Sequence, residues 1–242
     1  MEKVHFERVV VGAGVVGLAV AWKLARPGLV VLEANPRFGQ ETSSRNSEVI
    51  HSGIHYPLAS LKTKNCLIGR EKLLEFARQR GIPHRLCGKL TVATHEGEVS
   101  YLEKLSSHAQ ELGVSHERWT HSRLNRDEPQ IQANEAVYFP GSGIIDSHAF
   151  MAALAKETAE KGGLLAYRHR LLRVERDREW ILEVESPSGA LQIHTPSVVN
   201  AAGLAAAHWA NAARGGHSFL HRFCRGRYLQ LTRAVPIHHL VY

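Results

Sequence analysis

Hydrophobic and polar positions along the chain switch between two periods, and the switches mark its elements. Val9, Val10 and Val11 make a continuous apolar run, the pattern of a strand buried on both faces. A glycine-rich turn follows, and Leu18, Ala19, Val20, Ala21, Trp22, Lys23, Leu24 and Ala25 then read as helix. Leu29, Val30, Val31 and Leu32 read as a second buried strand. Over residues 61–80, Leu67, Ile68, Leu73, Leu74, Phe76 and Ala77 recur near helical spacing, and Gly81 with Pro83 stops that helix. Residues 89–94 predict a strand, and residues 100–112 an amphipathic helix closed by Gly113. A short strand over 137–139 precedes a turn at 140–143. Asp146 or Ser147 caps a helix over 148–161 that ends at Gly162 and Gly163. Residues 164–174 and 180–184 read as strands, with a turn at 186–189. Val198, Val199 and Asn200 form another buried run that enters Ala201, Ala202 and Gly203 ahead of an alanine-rich helix. Residues 228–232 and 240–242 read as further strands.

This order gives a βαβ unit, a long insertion and a return to α/β. The predicted fold class is α/β: a Rossmann-type domain interrupted by a mixed α+β substrate domain. Parallel strands need helical crossovers, and Val198, Val199 and Asn200 are placed to rejoin the first sheet. The expected boundaries are 1–85 for the first part of the nucleotide domain and 86–145 for the first part of the substrate domain. Residues 146–213 are the return part, and 214–242 open a second piece of the substrate domain. No internal repeat or low-complexity tract occurs.

The turn after the first strand carries the first candidate chemistry. Gly12 permits a tight turn, Gly14 lets a pyrophosphate approach the backbone, and Gly17 lets helix and strand pack closely. Phosphates would sit on the free amides of the helix start, at Val15 and Val16, in the field of the helix dipole. Glu33, followed by Ala34, ends the second strand and is placed to accept hydrogen bonds from a ribose diol. An acid there favours an unphosphorylated ribose, so FAD or NAD over NADP. The spacing from Gly17 to Glu33 is shorter than the usual ~20 residues.

Composition narrows the class. With 242 residues, 44% hydrophobic and 22% charged, the chain can bury a sizeable core. The N-terminal apolar stretch does not read as a signal peptide, because Lys3, Glu7 and Arg8 precede it and glycines interrupt it. No run approaches the ~20 apolar residues of a membrane span. Cys66, Cys87 and Cys224 are scattered, with neither metal-ligand spacing nor a disulfide framework, which suits a reducing cytoplasm. A net charge of +7 fits an anionic cofactor and substrate, an anionic membrane surface, nucleic acid or an ordinary basic surface. No Lys/Arg block with interleaved aromatics occurs, which makes nucleic acid the weakest of these. Of the sixteen histidines, His217, His221, His238 and His239 read as solvated.

Residues 42–57 carry a more specific signal. The run Thr42, Ser43, Ser44, Arg45, Asn46, Ser47, Glu48, Val49, Ile50, His51, Ser52, Gly53, Ile54, His55, Tyr56, Pro57 resembles the second flavin-contact segment of FAD oxidoreductases of the D-amino-acid-oxidase and glycerol-3-phosphate-dehydrogenase type. It is most similar to the L-2-hydroxyglutarate dehydrogenase/oxidase family. The resemblance continues through Gly69-Arg70, residues 87–94, residues 141–147, residues 200–204 and residues 225–228, in family order.

That resemblance implies an FAD enzyme that oxidises a 2-hydroxy acid, L-2-hydroxyglutarate, to the 2-oxo acid. Thr42, Ser43, Ser44, Asn46 and Ser47 would supply donors along the pyrophosphate and ribityl chain. Ile50, His51, Ser52 and Gly53 would run past the flavin ring, Ala202 and Gly203 would approach from the return strand, and the Leu171 backbone would meet the adenine. His51 is the expected base, since imidazole titrates near working pH. Arg225 would grip a carboxylate, Tyr228 would add a hydroxyl donor, and Lys89 would neutralise a second carboxylate, with Lys62 a weaker candidate. Tyr56 matches the family and would line the pocket; His55 departs from it, where an aromatic is usual. Oxygen, a quinone and an electron-transfer protein are all open as electron acceptor. The expected location is cytoplasmic, with contact at the inner membrane surface as its peripheral form. Family members continue well past residue 242, so the resemblance implies a C-terminally shortened chain with exposed apolar surface and strand edges. The alternatives are a flavin oxidase for glycerol 3-phosphate or an amino acid, an inactive nucleotide-binding fragment, and an RNA-binding Rossmann protein.

Overall fold

The valine run forms the strand its pattern predicts, Arg8–Val11, in a four-stranded parallel sheet. The order is Leu164–Tyr167, Leu29–Glu33, Arg8–Val11, Val198–Asn200. A computed structural model describes residues 1–215 and 218–242, so His217 lies outside the described residues. The return strand pairs where expected, with Val198 opposite Val9 and Asn200 opposite Val11. The helix after the glycine turn is Val15–Leu24, and it packs against the helix Ser147–Glu160.

This sheet belongs to the first of two compact units, residues 1–47 and 147–226. A second sheet in the same unit has the order Glu2–His5, Gly189–Thr195, Trp180–Ser186, Arg170–Arg176. Val9, Val11, Val30 and Leu32 from the parallel sheet bury themselves with Leu171, Leu182, Val184 and Ile193 from the other. Each such side chain contributes roughly 1.5–3 kcal/mol by leaving water.

The second unit comprises residues 48–146 and 227–242. Its larger sheet has the order Leu240–Val241, Lys89–Ala93, Glu135–Phe139, Glu117–Thr120. A smaller one joins Val49–Ile50, Gly143–Ile145 and His84–Arg85. The helix Leu61–Arg80 has the predicted ends: Ser60 Oγ accepts the Thr63 amide hydrogen at 3.1 Å, and Gly81 adopts a left-handed φ of 65° beyond the last turn. The helix Val99–Glu111 buries Leu102, Leu105 and Ala109 against Val137 and Phe139. The units divide the chain at 47/48, 146/147 and 226/227, against expected divisions at 85/86, 145/146 and 213/214. Residues 48–85 go with the second unit because Val49–Ile50 and His84–Arg85 both pair with Gly143–Ile145.

Two expectations are corrected. Residues 228–232 form no strand; the segment is exposed and no backbone among the described residues pairs with it. His239 is not solvated: its ring and amide, with the His238 amide, bond to one oxygen of the fully buried Glu128. Among the described residues, no helix is long and apolar enough to cross a membrane.

Candidate functional site

In the first unit the glycines build a cradle. Gly12 has φ 101°, and a Cβ there would lie 2.5 Å from the Ala201 carbonyl oxygen. A Cβ on Gly17 would lie 1.9 Å from the Gly12 carbonyl oxygen, so only glycine lets the helix start this close to the turn. Gly14 precedes a helix that has no side-chain cap of its own. The leading amides of a helix have no intrahelical partner, and that of Val15 donates to Ser43 Oγ at 3.0 Å. A hydroxyl oxygen thus occupies an acceptor position at the helix start, the chemistry that a phosphate oxygen also satisfies. Val16 beside it is 64% exposed.

Glu33 closes the cradle. Its Oε2 accepts the Ala13 amide hydrogen at 2.8 Å, and Oε1 accepts the amide and side-chain hydrogens of Asn35 at 2.8 and 3.0 Å. An oxygen with two donors is filled, whereas Oε2 keeps a lone pair for a hydroxyl. Ala34 is half-buried at the strand exit. Thr42, Ser43 and Ser44 form a single helical turn; Ser44 Oγ donates to the Glu41 carbonyl, and Asn46 Nδ2 to that of Ser43. Thr42, Ser44, Asn46 and Ser47 are exposed. Ala202 is half-buried, and Gly203 turns at φ 54° into the final helix of this unit. Leu171 is buried beside a bulge in its strand. These residues fit an unphosphorylated dinucleotide such as FAD.

In the second unit a cavity of about 260 Å³ is lined by His51, Ser52, Gly53, Ile54, His55, Tyr56, Lys89 and Tyr242. Strand pairing puts Lys89 opposite Phe139 and Leu240, and leaves it only 7% exposed. Among the described residues no carboxylate pairs with it. Its Nζ lies 2.8 Å from His55 Nε2 and over the rings of Phe139 and Tyr242 at 5.7 and 5.6 Å. Burial pushes the Lys89 ammonium down to about 8. Desolvation, then the Lys89 charge, lowers the His51 pKa; the same causes, joined by His51 and His108, take His55 to about 4. Both rings therefore stay neutral at physiological pH although each is open to the cavity. The Ser52 hydroxyl, 2% exposed, has no hydrogen-bond partner among the described residues.

The structure brings His51, Tyr56 and Lys89 to one cavity, with Ile50 buried in the strand before them. It does not bring Arg225 or Tyr228 to this cavity: both are exposed on the segment after residue 218, and Tyr228 is 67% exposed. Lys62 is also exposed, its ammonium 4.5 Å from the Tyr56 ring centre. Sequence reasoning placed Ser52 only in the run past the flavin ring, and it missed Tyr101, which reaches His55 Nδ1 at 3.3 Å. No spacing signal marks Tyr101, because its helix meets the 51–56 loop only through the tertiary fold.

The parallel sheet, glycine cradle and acid define a dinucleotide-binding α/β protein. The model of the FAD dependent oxidoreductase family matches residues 8–241, and the chain belongs to that family, the DAO family. It is 35% identical to the mitochondrial L-2-hydroxyglutarate dehydrogenase of Arabidopsis thaliana over 99% of this chain and 57% of that protein. It is 34% identical to the mitochondrial L-2-hydroxyglutarate dehydrogenase of Homo sapiens over 72% of this chain and 39% of that one. The chain thus spans less than two thirds of the length of these curated relatives. Among solved structures, the fold is shared with the dithionite-reduced, FAD-bound L-alpha-glycerophosphate oxidase of Mycoplasma pneumoniae (TM-score 0.81, 23% identity, 88% of this chain and 58% of that one). It is also shared with glycine oxidase from Geobacillus kaustophilus (TM-score 0.75, 23% identity, 86% of this chain and 58% of that one).

Proposed function

We propose that this chain holds FAD and belongs to an enzyme that oxidises a 2-hydroxy acid, L-2-hydroxyglutarate, to 2-oxoglutarate. The observation that carries this reading is Lys89, a buried cation without a counter-ion in a cavity also lined by a neutral imidazole. Desolvating an ammonium without a paired charge is costly, and an anionic ligand offsets that cost. Lys89 holds a substrate carboxylate and Ser52 donates its unpaired hydroxyl to the same ligand. Bound flavin supplies the hydride acceptor. His51, which has no hydrogen-bond partner among the described residues, takes the proton of the C2 hydroxyl. Its lowered pKa keeps it in the basic form. Gly12, Gly14, Val15, Val16, Gly17, Glu33 and Ser43 hold the dinucleotide. The names of the curated relatives support the substrate.

The test is the visible spectrum of the purified chain, followed by L-2-hydroxyglutarate without air. Flavin bands that bleach support the reading. Bands that persist with L-2-hydroxyglutarate but bleach with glycerol 3-phosphate or an amino acid replace the substrate, and folded protein without flavin overturns the cofactor.

A further inference from the structure

Lys89, His55 and Tyr101 make a chain of polar contacts. Lys89 Nζ lies 2.8 Å from His55 Nε2, and Tyr101 Oη lies 3.3 Å from His55 Nδ1. One end is buried, with Lys89 7% exposed, and the chain opens outward through His55, which is exposed, to Tyr101, 47% exposed. An ammonium only donates, so Nε2 accepts and the imidazole hydrogen sits on Nδ1. Nδ1–H then donates to Tyr101 Oη, which leaves the phenol hydrogen for water. Every donor in the sequence points outward.

We propose that His55 and Tyr101 form an outward-directed proton outlet for Lys89. The use made of it rests on the function proposed above. Oxidising a hydroxyl to a carbonyl, with bound flavin as the hydride acceptor, would free one proton, first taken by His51. That proton has to reach water while a ligand fills the cavity. Lys89 gives a proton to Nε2 of His55 as Nδ1 gives its own to Tyr101 and Tyr101 gives one to water. The neutral amine then takes the proton held by His51, and Lys89 is an ammonium again. Each passage leaves His55 in the other tautomer, so one proton leaves before the ring resets.

The titratable groups around the chain suit this role. His51 and His55 come from the loop after Val49–Ile50, Tyr101 and His108 from the helix Val99–Glu111, and Tyr242 from just beyond the strand Leu240–Val241. No carboxylate among them would trap the proton. His108 is committed to the Tyr56 carbonyl at 2.9 Å, and burial raises the Tyr101 pKa, so its phenol keeps the hydrogen it has to pass on.

The test follows exchange of the Lys89 ammonium hydrogens with water by NMR on 15N-lysine-labelled full chain at about pH 6, with oxalate filling the cavity. Tyr101→Phe, which keeps the ring and its exposure, and His55→Gln, which keeps an acceptor for Lys89 but cannot carry a proton across, are each expected to slow exchange about tenfold or more. Unchanged exchange in both variants overturns the outlet. If exchange slows but wild type leaves every 2-hydroxy acid unoxidised, the outlet stands and the substrate assignment falls. If wild type is active, Tyr101→Phe is expected to lose turnover that added imidazole buffer restores; full turnover without added buffer overturns the outlet's part in the reaction.

Discussion

The Oε2 atom of Glu33 accepts the amide hydrogen of Ala13 across 2.8 Å, tying the end of one parallel strand to the turn that leaves its neighbour. The acid that the sequence marks as a ribose ligand is therefore also a structural brace. Glu33→Ala is expected to lose the bonds from Ala13 and Asn35 and to destabilise the fold by about 1–3 kcal/mol. Thermal unfolding checks this, and the flavin content of protein refolded with excess FAD checks the binding role. A variant of unchanged midpoint would refute the brace.

Two neighbouring glycines should part company. Gly17→Ala forces a Cβ to 1.9 Å from backbone and is expected to cost about 1–3 kcal/mol or more. Gly14→Ala meets only the Ser43 hydroxyl, at 2.9 Å, which a rotation relieves. It should keep its unfolding midpoint within a few degrees and instead weaken FAD binding, measured by flavin release on dilution.

Lys89 sets function against stability. Lys89→Met removes the proposed anion anchor and is expected to raise KM for a dicarboxylate about 10- to 100-fold. The same change removes a buried, uncompensated ammonium. The folded chain holds that proton up to about pH 8 and the unfolded chain up to about 10.5. Between these the unfolded state binds more protons, so wild-type stability rises with pH across the window. Lys89→Met should thus be the more stable protein by about 1–3 kcal/mol below pH 8, an advantage that fades above about 10.5. Denaturant titrations at both ends decide it.

Substrate affinity should follow the same group with the opposite consequence. The ammonium form binds an anion, so KM is expected to rise as pH passes about 8. On the acid side, the lowered pKa of His51 keeps the base competent below 6.5. A KM flat from about pH 7 to pH 9 would remove Lys89 from substrate binding.

Glu128→Ala should free the end of the chain. One carboxylate oxygen takes the amide hydrogens of His238 and His239 and the His239 ring. Without it the Leu240 and Tyr242 amides, bonded to Gly88 and Leu90, should exchange with solvent about a hundredfold faster. Hydrogen exchange followed by mass spectrometry reads this directly.

The most legible elements are those whose pattern is decided locally. The helix Leu61–Arg80 carries its own spacing, start and stop, and Val9 to Val11 can only be buried. The strands Glu2–His5 and Glu117–Thr120 were not legible, because three of four residues in each face solvent and their order comes from a partner strand. The same dependence explains the failure at 228–232, where strand-forming residues find no partner. At the candidate site, His51, Tyr56 and Lys89 came from the family resemblance, and the structure places them around one cavity. Tyr101 and Glu128 were not legible, since nothing near them in the chain reveals what the fold brings to them.

The strand Val198–Asn200 that completes the sheet beside the glycine turn has a consequence for biosynthesis. The turn is made long before the backbone of Ala201 that backs Gly12. Until then one edge of Arg8–Val11 stands unpaired through the synthesis of all the residues between the two strands. Nascent chains should therefore need shielding over that interval, and the nucleotide cradle should mature only once the return strand has been made.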